Sequence, residues 1–168
     1  AILTASVALY RAFSEAHSFS PTAGAGHSLG EYSALVCAGT LSLADGARLV
    51  RRRGAAMQDA VPVRVGAMAV VMGLDDDVVT DTCNSISSAD SFVGGVNFNA
   101  PGQVVIAGHA DAVDAAVVAL KDAGARRAMP LPVSAPFHTP LMQPAADVMQ
   151  QAFEDASWGT PQFPVVSN

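Results

Sequence analysis

This chain has a single lysine, Lys121, and only two cysteines, Cys37 and Cys83, in 168 residues. The shortage of cations, with a formal charge of -6 and a pI near 4.9, argues against nucleic acid. Binding of that kind rests on many cationic contacts to phosphate. The same balance argues against an anionic membrane surface. Two cysteines make no disulfide framework. Both lie in apolar or helical contexts and read as free buried thiols, so a reducing, cytoplasmic compartment is expected. No apolar run approaches the length of a membrane span. The opening segment from Ala1 to Tyr10 is apolar, but no basic region precedes it and no cleavage site follows; it reads as a core helix, not a signal peptide. Internal repeats and low-complexity tracts are also missing. There is no initiator methionine, and Phe163 to Asn168 resembles a strand just beginning, so the chain is expected to be the middle of a larger catalytic domain.

What is present is apolar mass. Hydrophobic residues make up 51% of the chain and the mean hydropathy is +0.33, enough for a substantial core and against disorder. Within it stands Gly26-His27-Ser28-Leu29-Gly30-Glu31-Tyr32, a G-x-S-x-G pattern at the junction of a short strand and a helix. A serine hydroxyl is a poor nucleophile unless geometry and a base activate it. Flanking glycines let the backbone turn sharply, so that Ser28 stands clear at the start of the helix, where N–H groups point at developing negative charge. Alone the pattern is weak, and its surroundings must decide.

Apolar spacing predicts a helix over residues 1–17, and another from Ser28 to about Ala38, closed by Gly39. Ser42-x-x-Asp45 opens a third, carrying Arg48, Leu49, Arg52 and Arg53 towards Met57. From Gly66 the rhythm changes. Strands are expected at 67–72, 92–99, 104–107 and 128–133, with helices at 75–86 and 111–121 and a turn at Ala100-Pro101-Gly102. That order, βαββαβ, is the ferredoxin-like pattern. It is read as a small subdomain, residues 62–131, inserted into a larger α/β body formed by 1–61 and 132–168.

A nucleophilic serine needs a base, and four histidines are available: His17, His27, His109 and His138. His17 and His109 read as structural. His27 adjoins Ser28, but neighbours on a turn point apart, so it buttresses the elbow. His138 lies in Ser134-Ala135-Pro136-Phe137-His138-Thr139-Pro140, a loop stiffened by two prolines directly after a strand, and is the favoured base. A hydrolase-type triad would place an acid between serine and histidine. Asp111, Asp114 and Asp122 lie there, but on a helix of the inserted unit, where they read as a solvated face. The group orienting the histidine is then a backbone carbonyl or a residue outside the chain. Arg51-Arg52-Arg53 cannot all face one way on a helix. One inward guanidinium would hold a carboxylate by two parallel hydrogen bonds, which suits an acidic acyl substrate.

Four ordered segments, the elbow, Arg53-Gly54-x-x-Met57-Gln58, Asn97-Phe98-Asn99-Ala100-Pro101-Gly102-Gln103-x-Val105-Ile106-Ala107-Gly108, and Ala135-Pro136-Phe137-His138, closely resemble malonyl-CoA:acyl carrier protein transacylases. The resemblance covers essentially the whole chain. It implies a hydrolase-like α/β body with a ferredoxin-like insert, and a ping-pong transfer of malonyl from malonyl-CoA to the phosphopantetheine thiol of acyl carrier protein. It implies Ser28 and His138 as catalytic residues and Leu29 as an oxyanion-hole donor. Arg53, Met57, Asn99 and Phe137 would bind substrate, with Phe137 favouring malonyl over bulkier units. No metal or cofactor and a monomer are expected. The family's glycine/glutamine-rich loop, which supplies a second oxyanion donor, is not in these residues, nor is the later segment that orients the histidine. Ala100 stands where many relatives have serine, a change expected to be tolerated. The 168-residue piece alone is therefore expected to be inactive.

Acyl carrier proteins are themselves acidic, so docking would need a local basic patch, for which Lys121, Arg126 and Arg127 are candidates. Three other readings stay open: an acyltransferase domain of a polyketide synthase, a serine hydrolase acting on acyl thioesters, and a non-catalytic docking module.

Overall fold

Leu3 and Val7, four residues apart, fall on one face of a helix and are both buried, and this face seeds the first of two units. The computed structural model describes residues 1–133 and 135–168, so Ser134 of the histidine loop lies outside the described residues.

The first unit comprises Ala1–Ala55 and Asp147–Asn168. Helix α1 (Ile2–Ala16) is followed by strand β1 (Gly24–Ala25), helix α2 (Leu29–Cys37) and helix α3 (Leu43–Asp59), which begins here. Leu3 and Val7 of α1 meet Val36, Leu41 and Leu49, together with Met149 and Ala152, in one buried cluster. Removing such a buried side chain would cost about 2–5 kcal/mol. Helix α3 starts as its sequence requires. Ser42 Oγ accepts the Asp45 N–H at 2.9 Å and donates to Asp45 Oδ2 at 2.6 Å. We expect Ser42→Ala to lower stability by about 1 kcal/mol, read as a shift of the urea midpoint at unchanged slope.

The second unit, Ala56–Ala146, is built on a four-stranded antiparallel sheet. Its elements are β2 (Gly66–Met72), α4 (Asp76–Ile86), β3 (Val93–Ala100), β4 (Gln103–His109), α5 (Ala110–Asp122) and β5 (Arg127–Pro130). The strand order is β3-β4-β2-β5, with Met68 opposite Ala107 and Val70 opposite Val105. Alternation sorts the strands' two faces. Ala69, Val71, Val104 and Ile106 pack with Val79, Cys83, Val113, Ala116 and Leu120 of the helices. Met68, Val105 and Ala107 form a separate buried patch, joined by Val96, Leu131 and Phe137. A 3₁₀ turn (Pro140–Met142) leads into α6 (Gln143–Glu154), and β6 (Val165–Val166) pairs parallel with β1.

Two features differ from expectation. Strand β5 ends at Pro130, short of Val133, because Pro130 and Pro132 have no N–H to continue the ladder. Helix α6 was not anticipated. Its buried positions, Ala145, Met149 and Ala152, include two alanines, so its apolar stripe is faint.

Both thiols are free. Burial pushes the Cys83 thiol up to about 11 and raises Cys37 as well. In the native protein at neutral pH, Cys83 is therefore expected to resist iodoacetamide until the fold is opened by denaturant, as peptide mass analysis would record. Among the described residues, no helix is long and apolar enough to cross a membrane.

Candidate active site

Strand β1 delivers the chain to Gly26, where space runs out: a Cβ there would stand 2.0 Å from the Gly30 carbonyl carbon. Only glycine lets the incoming strand lie so close to the first turn of α2. The turn that follows puts Ser28 at φ 53°, ψ −107°, a backbone state that non-glycine residues rarely adopt. Such a residue stores about 1–3 kcal/mol of strain and persists only where its surroundings hold it.

Ser28 is the N-cap of α2, yet its side chain makes no cap bond. The backbone does that work instead: Gly30 N–H donates to His27 O at 2.8 Å and Glu31 N–H to Ser28 O at 3.3 Å. Leu29 is the first helical residue, so its N–H has no acceptor four residues back. It faces the positive end of the helix dipole. The hydroxyl is thus left for other partners.

One of those partners is Arg53. Arg51 and Arg52 are exposed, whereas Arg53 is half-buried, and its Nη2 donates to Ser28 Oγ at 2.8 Å. The guanidinium carbon lies 5.9 Å from the centre of the Tyr32 ring, within reach of a cation–π attraction. Tyr32 is itself raised above the usual phenol range by burial, with Arg53 pulling the other way. Of the three consecutive arginines, the helix selects one to face the serine. Helical spacing alone said only that the three cannot all face one way; the resemblance named Arg53.

The Ser28 backbone N–H donates to Asn168 Oδ1, and Glu31 accepts from Ser167 Oγ and the Asn168 N–H, each at 3.2 Å. Sequence reasoning missed these groups, because Asn168 lies 140 positions from Ser28. An open cleft of about 340 Å³, lined by Ala25, Gly26, His27, Val166, Ser167 and Asn168, adjoins them.

The remaining candidates belong to the second unit. Met57, one turn beyond Arg53 on α3, is half-buried, and Asn99 is exposed near the end of β3. Phe137 packs on the Met68, Val105 and Ala107 patch. His138 is exposed at φ 63°, in the rare backbone region that Ser28 also occupies. Its loop is braced from below: Thr139 Oγ1 donates to Pro136 O at 2.7 Å, and Pro136 is buried against Gly66. A Cβ at Gly66 would lie 2.2 Å from Pro136 Cδ.

His109 Nδ1 accepts the Phe92 N–H at 2.9 Å, a structural use that agrees with its reading from sequence. Asp111, Asp114 and Asp122 are exposed on or at the end of α5. The Asp111 carboxyl is held below its usual range, first by the Ala112 N–H and then by Ser91. Among the described residues, no group of three or more metal-capable side chains gathers.

A strained serine at a helix start, with a guanidinium on its hydroxyl, suits a nucleophile that handles acyl groups bearing negative charge. Comparison with known proteins places the chain among relatives of known kind. The chain is 53% identical over 168 residues to the malonyl CoA-acyl carrier protein transacylase of Escherichia coli K12, covering all of this chain and 54% of that protein. The malonyl CoA-acyl carrier protein transacylase structure from Coxiella burnetii superposes with a TM-score of 0.95 at 44% identity, over 99% of this chain and 52% of that one. A malonyl-transacylase solved in complex with a type II polyketide acyl-carrier protein superposes at 0.94 and 51% identity, over 99% and 53%. The chain thus spans about half the length of the relatives it matches. The acyl transferase domain pattern matches residues 1–168, end to end, and the chain belongs to the acyl transferase domain family.

Proposed function

We propose that the protein carrying this chain moves a malonyl group from malonyl-CoA to the phosphopantetheine thiol of acyl carrier protein, through a malonyl-Ser28 ester. The observation that carries this reading is the 2.8 Å bond from Arg53 to Ser28 Oγ. A fixed cation at the nucleophile is unneeded for a neutral ester and apt for an acyl group ending in a carboxylate. The names of the relatives point the same way.

In this reading His138 is the base. A serine hydroxyl can accept from Arg53 while its own proton stays available to donate. His138 takes that proton as Oγ attacks the thioester carbonyl carbon. The Leu29 N–H steadies the oxyanion, a contribution of about 3–4 kcal/mol per donor. The C–S bond breaks, His138 protonates the departing CoA sulfur, and the ester remains on Ser28. The carrier thiol then gives its proton to His138 and attacks the ester, which restores the serine. Arg53 moves from Oγ to the malonyl carboxylate, while Met57, Asn99 and Phe137 shape the rest of the site. A cytoplasmic setting is supported by the two free thiols.

We also read residues 62–131 as a ferredoxin-like insert in a hydrolase-like body of 1–61 and 132–168. The βαββαβ order with strand order β3-β4-β2-β5 supports the first assignment. The parallel β1–β6 pair leading into the elbow supports the second. Lys121, Arg126 and Arg127, all exposed, remain the candidate contacts for an acidic carrier protein.

The test is to incubate the intact protein with malonyl-CoA and weigh it. A malonyl adduct on the Ser28 peptide that a carrier thiol removes supports transfer. CoA release with no dependence on carrier would make the protein a hydrolase instead. In the same assay His138→Ala is expected to slow adduct formation by about 10²–10⁴-fold, the usual weight of a general base.

A further inference from the structure

Ser28 sits at φ 53°, so something outside its own dipeptide must hold it there. The catalytic assignments leave one nearby set of polar contacts unexplained. Asn168 Oδ1 accepts the Ser28 N–H, and the Glu31 carboxylate accepts the Asn168 N–H and the Ser167 hydroxyl. Strand β6 runs beside β1 in parallel, with Gly24 opposite Val165 and Ala25 opposite Val166. The chain therefore enters the elbow along β1, while the end of β6 reaches over to clasp the same turn from the neighbouring strand.

We infer that Asn168, held by Glu31, is a positioning residue that fixes the Ser28 peptide and so aims the nucleophile. Three physical points support it. The bond goes to the backbone of the strained residue itself, whose rotation would swing the Cα–Cβ vector away from Arg53. Glu31 lies in the first turn of α2, where a carboxylate is favoured by the helix dipole, so the anchor of the clasp is itself stabilised. The Ser28-x-x-Glu31 spacing would ordinarily form a reciprocal capping box. Here both side chains are used elsewhere: Ser28 Oγ receives Arg53, and Glu31 receives Ser167 and Asn168, just past β6. With its N–H committed to Asn168, Ser28 leaves the neighbouring Leu29 N–H as the local donor for an oxyanion.

The kinetic arm of the test rests on the acyl-transfer reading; the amide arm does not. In the intact protein, Asn168→Leu keeps the side-chain size and removes the acceptor, whereas Asn168→Asp keeps an acceptor oxygen. We expect Asn168→Leu to lower the maximal rate of Ser28 malonylation by about 30–100-fold, as for a misplacement near 1 Å. Half-saturation by malonyl-CoA should stay within about twofold, because the carboxylate site at Arg53 is untouched. Asn168→Asp should recover most of the rate. Hydrogen exchange of the Ser28 amide should be slow in the parent and in Asn168→Asp, and fast in Asn168→Leu. An unchanged rate in a folded Asn168→Leu, or equal losses in both variants, would overturn the assignment. If Asn168→Leu does not fold, rapid exchange of the Ser28 amide in the parent protein overturns it and slow exchange that Asn168→Asp preserves supports it. If the parent takes no malonyl at all, the transfer reading fails, and the amide exchange still decides the clasp.

Discussion

Replacing Arg53 with alanine is expected to lower malonyl transfer by about 10²–10³-fold more than acetyl transfer. The figure follows from losing a charge-assisted pair, which costs about 3–4 kcal/mol when the partner charge is left unpaired, at about 1.4 kcal/mol per tenfold. Comparing two acyl donors is essential, because Arg53 also donates to Ser28 Oγ and its removal changes the nucleophile for every substrate. Acetyl transfer measures that common loss, and the malonyl-to-acetyl ratio isolates the carboxylate. Arg53→Lys should recover only part of the ratio, since an ammonium lacks the planar fork and stacks poorly over Tyr32. Steady-state kcat/KM for both donors, with carrier protein saturating, gives the answer. Equal falls for the two would remove Arg53 from substrate recognition.

The second large effect joins chemistry to stability. Ser28→Ala and Ser28→Gly should each abolish the malonyl adduct, a fall of about 10⁶-fold in acylation by analogy with other serine nucleophiles. The two should differ in the fold. Alanine inherits the φ 53° backbone with its strain, whereas glycine adopts it freely. Ser28→Gly is therefore expected to unfold about 1–2 kcal/mol later than Ser28→Ala in denaturant, although glycine ordinarily costs stability. An order reversed, with alanine the more stable, would mean that the elbow is not strained.

How much of this was legible beforehand depends on the range over which each determinant acts. The elbow could be read because its cause is local: Gly26 must lie against Gly30, and no larger residue fits. The start of α3 was equally open, since Ser42 and Asp45 satisfy each other within one turn. The βαββαβ rhythm was visible because β2 and β4, with apolar side chains on both faces, read as short unbroken apolar runs between turn signals. Helix α6 was not, because alanine carries little weight in an apolar stripe and prolines precede it. For Arg53, helical spacing alone did not say which of the three arginines faces in; the family resemblance singled out Arg53, and its burial and bond to Ser28 agree. The Asn168 contact depends on two strands meeting across 140 positions, and no local pattern encodes that. What was hidden is tertiary in origin.

The packing beneath Phe137 carries a consequence for any test of its proposed role at the acyl site. That ring does not stand alone on a free loop. It leans on Met68, Val105 and Ala107, and its neighbour Pro136 is wedged against Gly66. Trimming Phe137 would open a hole over the sheet's second face, whatever else the ring does. A shorter side chain at 137 is better paired with a larger one at Ala107 or a reshaped Met68 in the same variant, so that the second face stays filled.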